Sequence, residues 1–307
     1  MTTTVDTPAT PEGVFLGVLR PGTPEWDAAR AGLTITATEI AAVVGLSPWQ
    51  SRFSLWHKKA GLPGKPFESS PAMEWGVRLE DAVARKFGDN HPELHVAKTG
   101  TWRHRAREWQ RATPDRLLLP TDGKSATALL EVKTSPDGGE WGEDGTDQVP
   151  IHYRCQVLWQ LDTLGLDECH VAVLIGGCDY REYRISYDKG EAELLREAAI
   201  EFLDDVQDGR RPPIDGADAT YQTVKAQPDG VDPDPVDIDP LLADRYRQVR
   251  ADEAEVTARG RQVRAELLDA MGNHTRAHAL GDLVAYRTVH PDGTTRALQP
   301  ARDRTHA

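Results

Sequence analysis

Several features that would place this 307-residue chain in a membrane or outside the cell are missing from its sequence. No apolar run approaches the roughly 18–20 residues that a membrane-spanning helix needs. Residues 1–11 are rich in Thr and Pro, and they lack both the basic start and the apolar core of a signal peptide. The three cysteines, Cys155, Cys169 and Cys178, have no metal-finger spacing. These absences predict a protein of the reducing cytoplasm with no membrane partner.

The sequence is also poor in basic charge and in two familiar catalytic signatures. It contains neither a glycine-rich phosphate loop nor Ser, His and Asp in the order of a hydrolase triad. Its 36 basic and 49 acidic residues give a net charge of −13, which argues against a nucleic-acid partner. Seven Asp and one Lys fall within residues 214–240, however, so this segment alone contributes −6. A basic groove elsewhere on the protein remains compatible with the composition.

The hydrophobic pattern divides the chain into four parts. Residues 1–12 are expected to be disordered, and residues 13–211 to form one compact α/β domain. Residues 212–240 are expected to be an acidic linker that does not pack, and residues 241–307 a helix with a β-hairpin. In the α/β domain, helices are predicted over residues 36–45, 54–60, 72–87, 151–164 and 188–208. Strands are predicted over residues 99–104, 109–119 (interrupted by Pro114), 128–134, 168–175 and 180–186.

The C-terminal part carries a one-sided apolar stripe at helical spacing, ended by Gly272: Leu242, Tyr246, Val249, Val256, Val263, Leu267 and Met271. The hairpin is predicted over residues 283–289 and 294–298. A helix with such a stripe is expected to bury it against the α/β domain, another subunit or a partner protein.

The most informative motif is Thr113-Pro114-Asp115, followed sixteen positions after Asp115 by Glu131-x-Lys133 inside an apolar strand. Residues two apart in a strand share a face, so Glu131 and Lys133 project together. The motif can arise by chance in an amphipathic strand. Charges in so apolar a strand are nevertheless costly unless they bind something. Asp115 and Glu131 could supply oxygen ligands to Mg²⁺ or Mn²⁺, and Lys133 could hold water or charge on phosphorus. This predicts a metal-dependent nuclease centre.

Five motifs occur together in an order that resembles the lambda exonuclease family. They run from about Trp26 to Ile175: Thr-Ala-Thr-Glu at 36–39, Trp-Gly-x-x-x-Glu at 75–80, Thr-Pro-Asp at 113–115, Leu-Glu-x-Lys at 130–133 and Tyr-x-x-Gln-Val at 153–157. This family comprises the YqaJ-like viral recombinases within the PD-(D/E)xK nuclease superfamily. The resemblance implies a restriction-endonuclease-like α/β core, a central mixed sheet flanked by helices, to which the helix-plus-hairpin appendage is added.

The resemblance also implies roles for individual residues. Glu80, Asp115, Glu131 and the Val132 carbonyl would surround the metal, expected to be two Mg²⁺ or Mn²⁺ ions, and Lys133 would be the catalytic lysine. A pocket for a terminal 5′-phosphate would be formed by Arg30, Thr38, Thr113 and Gln156. A guanidinium, two hydroxyls and an amide suit a phosphate, since they combine charged and neutral donors.

The function implied is a Mg²⁺-dependent deoxyribonuclease, a 5′→3′ exonuclease on double-stranded DNA ends in phage-type homologous recombination. It would act in the cytoplasm of a bacterium or a phage-infected host. Implied partners are DNA ends, a single-strand annealing protein and further copies of the chain. Two alternatives stay open. One is an endonuclease of the same superfamily, and the other is an inert DNA-end-binding scaffold.

Overall fold

The structure, a computed structural model, describes residues 12–63, 69–123, 125–226, 230 and 232–301. The predicted disorder of residues 1–12 concerns a segment that lies, except for Glu12, outside the described residues. The chain divides into two compact units, Met1–Gly230 and Val231–Ala307. None of the described helices is both long enough and apolar enough to span a lipid bilayer.

The first unit contains seven helices among its described residues: α1 (Pro24–Arg30), α2 (Ile40–Val43), α3 (Arg52–Lys59), α4 (Pro71–Asn90), α5 (Ile151–Leu164), α6 (Lys189–Gln207) and α7 (Asp218–Ala226). Its described strands are β1 (Val14–Gly17), β2 (Ile35–Thr36), β3 (Leu94–Lys98), β4 (Thr101–Arg103), β5 (Gln110–Ala112), β6 (Arg116–Pro120), β7 (Ala128–Ser135), β8 (Glu168–Ile175) and β9 (Asp179–Ser186). The unit is therefore mixed α/β, as predicted.

A five-stranded mixed sheet in the order β3-β6-β7-β8-β9 forms the centre of this unit. Only its β7–β8 pair is parallel, with Glu131 opposite Val171, and α5 connects these two strands. Helix α4 covers one face and α5 the other, and successive residues of β7 point to opposite faces. Leu130 and Val132 therefore join the apolar cluster under α4, whereas Leu129 joins the cluster under α5. The sheet flanked by helices confirms the predicted fold class.

The first unit contains a second, four-stranded sheet with the strand order β1-β4-β5-β2. The strand predicted over residues 109–119 is interrupted at Pro114, as expected, and its two pieces, β5 and β6, belong to different sheets. Pro114 separates them because it has no N–H group to give to a ladder. The chain thus passes from one sheet to the other at Thr113-Pro114-Asp115, and Asp115 lies at that crossing.

Four further elements were not predicted. The helix expected to begin at residue 36 begins instead at Ile40, because residues 35–36 pair with β5 as strand β2. Thr36 donates from both its backbone N and its hydroxyl to the Glu39 carboxylate, at 3.1 and 2.9 Å. Helix α1 and strands β1 and β3 also formed in segments to which the pattern assigned no element.

The acidic segment predicted as an unpacked linker contains a packed helix. Helix α7 contacts α3, and the buried hydroxyls of Thr220 and Ser51 lie 2.7 Å apart. Hydrophobic periodicity missed this helix because two of its inward-facing residues, Thr220 and Thr223, are polar. The expectation that residues 212–240 would not pack was therefore wrong for α7, which extends the first unit beyond Arg211.

The second unit consists of the long helix α8 (Pro240–Met271) and a three-stranded antiparallel sheet of β10 (Arg276–Ala279), β11 (Asp282–Val289) and β12 (Thr295–Pro300). The predicted helix and hairpin are present, and β10 is an additional strand. Among the described residues of this unit, Met271 and Ala285 alone are buried apolar side chains. Most of the apolar stripe on α8 is exposed, with Val249 at 54% and Val256 at 57%.

Candidate active site

The crossing between the two sheets brings Asp115 to the middle of β7. The pairing of β6 with β7 ends where Arg116 lies opposite Leu130. Beyond this pair, the next N–H on the β6 side of β7 belongs to Val132. The Asp115 Oδ2 atom accepts a hydrogen bond from this N–H at 2.7 Å. In a strand, the N–H and the C=O of one residue point to the same side. The Val132 carbonyl therefore faces the side on which the Asp115 carboxylate lies, as the predicted ligand set requires.

Glu131 and Lys133 project together from the face of β7 that α5 covers. The Lys133 Nζ atom lies 2.6 Å from Glu131 Oε1 and 3.2 Å from Gln156 Oε1, and it sits 4.6 Å from the centre of the Tyr153 ring. The Glu131 side chain is almost fully buried. The predicted shared face of Glu131 and Lys133 is confirmed.

Two amides of α5 fix the Glu131 carboxylate. Gln156 donates to Oε1, and Gln160, one helical turn further on, donates to Oε2 at 2.8 Å. Both glutamines are buried, and the Oε1 atom of Gln160 has no hydrogen-bond partner among the described residues. Residues four apart lie on one helix face, so the Gln156–Gln160 spacing could have revealed Gln160 as a second support.

Glu80 comes close to this centre but is held by an arginine. The guanidinium of Arg116 lies 2.7 Å from Glu80 Oε1 and 2.6 Å from the backbone oxygen of Asp115. Arg116 is buried and also binds Asp81 at 2.5 Å. Sequence reasoning missed Arg116, although it directly follows Asp115. Arg116 ties α4, which carries Glu80, to the end of β6.

The electrostatics of the centre are dominated by carboxylates withdrawn from water. Burial, followed by the nearby Glu131 and Glu80 carboxylates, raises the pKa of Asp115 well above its usual value. Burial alone would lower the pKa of Lys133, but the Glu131 and Asp115 carboxylates outweigh it and raise that pKa. Lys133 therefore stays charged, while Asp115 is under pressure to take up a proton. A cation placed among these oxygens would relieve that pressure.

The donor set fits a hard divalent cation in its chemistry. Asp115 and Glu131 offer carboxylate oxygens and Val132 offers a carbonyl oxygen, the ligand types that Mg²⁺ and Mn²⁺ prefer. The described residues do not present three or more His, Cys, Asp or Glu side chains already gathered around one point. Glu131 is turned towards Lys133 and Gln156, and Glu80 towards Arg116. The ligand roles of Glu80, Asp115, Glu131 and Val132 thus stay predictions.

The predicted phosphate residues fall into two groups. Arg30 and Thr38 touch, with the guanidinium NH2 atom 2.8 Å from the hydroxyl and the arginine 4.5 Å above the Trp26 ring. Strands β2 and β5 are parallel neighbours. Thr38 comes after the end of β2 and Thr113 after the end of β5, so both threonines lie at the same edge of that sheet. Gln156 instead contacts Glu131 and Lys133. The Thr113 hydroxyl lies 3.0 Å from that of Thr101.

A buried ion pair supports the Arg30 end of this pocket. The Lys59 ammonium lies 2.9 Å from the Glu39 carboxylate and donates to the Arg30 carbonyl at 2.8 Å. Burial raises the pKa of Glu39, but Lys59, Lys58 and Arg30 outweigh it and lower that pKa to about 2. The Nε atom of Arg30 is buried and has no hydrogen-bond partner among the described residues. Arg30 thus keeps a donor for a ligand.

Aromatic side chains lead from Lys133 to the surface. Below the lysine lies Tyr153, whose ring is 6.0 Å from that of Trp49, and His152 meets Trp49 edge-on at 4.7 Å. Trp49 is 66% exposed. Sequence reasoning gave it no role, because an exposed tryptophan after a turn carries no signal of its own. Such a surface can stack on a nucleobase.

Comparison with known proteins agrees with the motif-based assignment. Residues 25–167 match the family model of the YqaJ-like viral recombinase domain. The uncharacterized protein YqaJ of Bacillus subtilis (strain 168) is 30% identical over 196 residues, which are 62% of this chain and 59% of that protein. The chain thus spans about three fifths of the length of this relative. The resemblance to YqaJ-like viral recombinases is confirmed.

Two solved structures are similar to this chain at lower identity. An alkaline exonuclease (LHK-Exo) from Laribacter hongkongensis gives a TM-score of 0.48 at 20% identity, covering 61% of this chain and 94% of that one. A phage related exonuclease from Haemophilus somnus 129PT gives 0.42 at 13% identity, with 58% and 96% covered.

Proposed function

We propose that this protein is a Mg²⁺-dependent deoxyribonuclease, a 5′→3′ exonuclease that digests double-stranded DNA ends during phage-type recombination. The observation that carries the proposal is the pairing of Asp115, held by the Val132 N–H, with Glu131 and Lys133 on β7. A structural role alone does not account for a buried glutamate that needs a lysine and two glutamines to hold it. The YqaJ-like viral recombinase domain supports the recombination context.

Within this proposal each side chain has a defined task. The bound cations, expected to be two Mg²⁺ or Mn²⁺ ions, would lower the pKa of the attacking water and offset the charge on the leaving oxygen. Asp115, Glu131, Glu80 and the Val132 carbonyl would hold them. Gln156 and Gln160 fix the angle of the Glu131 carboxylate, and the Val132 N–H fixes that of Asp115.

Lys133 would place its positive charge against the scissile phosphate. The Glu131 and Asp115 carboxylates raise its pKa, so the ammonium is protonated at neutral pH and can stabilise negative charge. The Tyr153 ring below the ammonium maintains its position by a cation–π contact.

The preference for a DNA end would come from the Arg30–Thr38 pair. A terminal 5′-phosphate could accept from the Arg30 guanidinium, including its unpartnered Nε atom, and from the Thr38 and Thr113 hydroxyls. Trp49 could stack on a base beside the lysine. DNA ends, an annealing protein and further copies of the chain are the partners proposed.

Digestion of end-labelled linear duplex tests this function. We expect Mg²⁺-dependent release of mononucleotides from 5′-phosphorylated duplex, slower release from 5′-hydroxyl duplex, and no cutting of a covalently closed circle. Nicking of the circle would establish an endonuclease instead. Binding of ends without any cleavage would establish the inert scaffold.

Substitutions in the phosphate pocket sharpen this test. Thr38→Val removes one hydroxyl at nearly constant shape, and it should reduce the preference for 5′-phosphate by roughly threefold to tenfold. Thr121→Val, at an exposed turn, is the matched control. Gln156→Ala should slow both substrates alike, because Gln156 also holds Glu131 and Lys133. Equal losses on both substrates for Thr38→Val would mean that the pocket does not read the 5′-phosphate.

A further inference from the structure

Helix α8 carries a heptad repeat that the described residues of its own unit leave exposed. Four residues spaced by seven, Leu242, Val249, Val256 and Val263, are between 49% and 57% exposed. If these are d positions, the a positions are Tyr246, Glu253, Gly260 and Leu267. A repeat of seven sustained over more than three heptads is the pattern of a helix that winds around another helix.

We propose that α8 is a dimerisation helix, which pairs with α8 of a second copy of this chain as an antiparallel coiled coil. The charges beside the stripe select both the orientation and the register. The g positions are Arg245, Asp252, Arg259 and Glu266, and the e positions between Ala243 and Met271 include Arg250, Thr257 and Arg264. Such flanking residues determine partner choice and orientation in coiled coils.

Parallel pairing places each g residue beside the following e residue of the other helix. Arg245 would then meet Arg250 of the second copy, and Arg259 would meet Arg264 of the second copy. Each contact occurs twice in a symmetric dimer, which gives four arginine pairs of like charge and no compensating attraction. Like charges in such positions disfavour the pairing.

Antiparallel pairing places g beside g and e beside e. In the register that sets Val256 against Glu253 of the second copy, Arg245 meets Glu266 and Asp252 meets Arg259. Both contacts are attractive and both occur twice. The e positions pair Arg250 with Thr257, without repulsion. A shift of the register by one heptad in either direction brings arginines together and acids together at the g positions, so this register is the favoured one.

The residues in the seam match this register. Tyr246 faces Val263 of the second copy and Val249 faces Gly260. A glycine in mid-helix costs about 1 kcal/mol relative to alanine, and no described residue of this unit lies within 4 Å of where a Gly260 Cβ would be. Packing within the described part of the unit therefore gives no reason for this glycine, whereas close approach of a second helix does. Glu253 lies at the margin, held by Arg250 of its own helix at 2.8 Å.

The acids at the g positions are available for such pairing. Asp252 accepts a hydrogen bond from Gln248, and Glu266 accepts one from Gln262. Each of these neutral glutamines lies four residues before its acid on the same helix. Among the described residues, neither acid forms an ion pair. A second copy of α8 would thus add charge-assisted contacts at no loss of an existing one.

Light scattering coupled to size exclusion of the full chain tests the dimer. We expect a mass that is an even multiple of the chain, halved by Val256→Asp, which places an acid beside Glu253 of the second copy. Ala258→Asp, which adds the same charge at an f position on the outer face, should leave the mass unchanged. A monomeric or trimeric wild type, or a mass unaffected by Val256→Asp, would overturn the proposal.

Charge exchange tests the orientation. Arg245→Glu should raise the dimer dissociation constant roughly tenfold. The new acid would face Glu266 of the other copy, and this repulsive contact would occur at both ends of the dimer. Adding Glu266→Arg should restore the dissociation constant. Arg261→Glu changes the same charge at a b position and should have little effect. If Arg245→Glu instead tightens the dimer, the helices are parallel and the antiparallel assignment is wrong.

Discussion

The two units of this chain differ in what they withdraw from water and what they leave exposed. The first buries charge: the Glu131 and Lys59 side chains are no more than 3% exposed. The second exposes apolar surface, with Tyr246 at 67% and Val256 at 57%. Neither arrangement is favourable in an isolated chain, since buried ions and exposed apolar stripes both raise the free energy of the folded state.

The difference lies in how far each unit compensates itself. In the first unit, lysines, glutamines and arginines hold the buried carboxylates of Glu39, Glu131 and Asp162, whereas burial and neighbouring carboxylates raise the pKa of Asp115. In the second unit, the described residues of that unit leave the apolar stripe of α8 exposed over most of its length. The first case indicates a small cationic ligand at one point, and the second indicates a partner along a whole helix.

The largest effect is expected from the acid at the crossing of the two sheets. Asp115→Asn keeps an oxygen that can accept from the Val132 N–H but removes the charge, and it should slow DNA cleavage by about three orders of magnitude or more. Without metal the variant should melt at the same or a higher temperature than the wild type, because a repelled carboxylate is gone.

Asp89→Asn, an exposed acid on α4, serves as the control for this variant and should behave as the wild type in both assays. Cleavage of duplex DNA at near wild-type rates by Asp115→Asn would remove Asp115 from the reaction.

The lysine should separate catalysis from binding. Lys133→Ala is expected to retain metal affinity within a few fold while lowering turnover by roughly two to three orders of magnitude, since its charge acts on the transition state. Single-turnover cleavage and Mn²⁺ titration measure the two quantities. A parallel fall of binding and turnover would reduce Lys133 to a counter-ion of Glu131.

The other buried ion pair predicts a pH dependence of stability. Because the pKa of Glu39 falls from 4.5 to about 2 on folding, its contribution is fully present above pH 4.5 and is lost as the pH falls towards 2. That contribution is at most about 3 kcal/mol. It is reduced by Lys59, because burial of its ammonium lowers the pKa of Lys59 despite the attraction of Glu39.

Urea unfolding at pH 7 and pH 3 measures this contribution. Glu39→Gln should be less stable than the wild type at pH 7, and the gap should narrow at pH 3. Glu197→Gln, at an exposed position of α6, should show no gap at either pH. A gap that is constant with pH would mean that the ionisation of Glu39 does not stabilise the first unit.

The smallest effect is expected from removal of the second unit. A chain that ends at Gly230 should keep metal-dependent cleavage and the melting temperature of the first unit. A chain that ends at Arg211 also lacks α7 and the Thr220–Ser51 hydrogen bond. We expect it to melt about 5 °C lower, as differential scanning fluorimetry would show. Loss of cleavage in the chain ending at Gly230 would place the second unit in the active site.

Local pattern was sufficient for much of the first unit. The apolar alternation of β7 and the three- and four-residue spacing of α4 and α5 gave elements, faces and the shared direction of Glu131 and Lys133. The interruption at Pro114 was predicted, but the placement of the two pieces in different sheets was not, because only pairing with distant strands decides it. Helix α7 was missed because its inward hydroxyls resemble surface residues in sequence.

The candidate site was predictable as a set of residue types, but its contacts were not. Motif order placed Asp115, Glu131, Lys133 and Gln156 near one another. That Arg116 holds Glu80 and that Lys59 supports Arg30 depends on packing between elements distant in sequence. No local spacing encodes such long-range pairs.

Calorimetric titration of Mn²⁺ into the wild type and into Glu131→Gln tests most directly whether the charges buried at β7 exist to hold a cation. The account predicts saturable binding by the wild type that is lost in Glu131→Gln, whose amide keeps the shape of the side chain without its charge. Undiminished Mn²⁺ binding by Glu131→Gln would contradict the account and leave the buried Glu131–Lys133 pair as a purely structural contact.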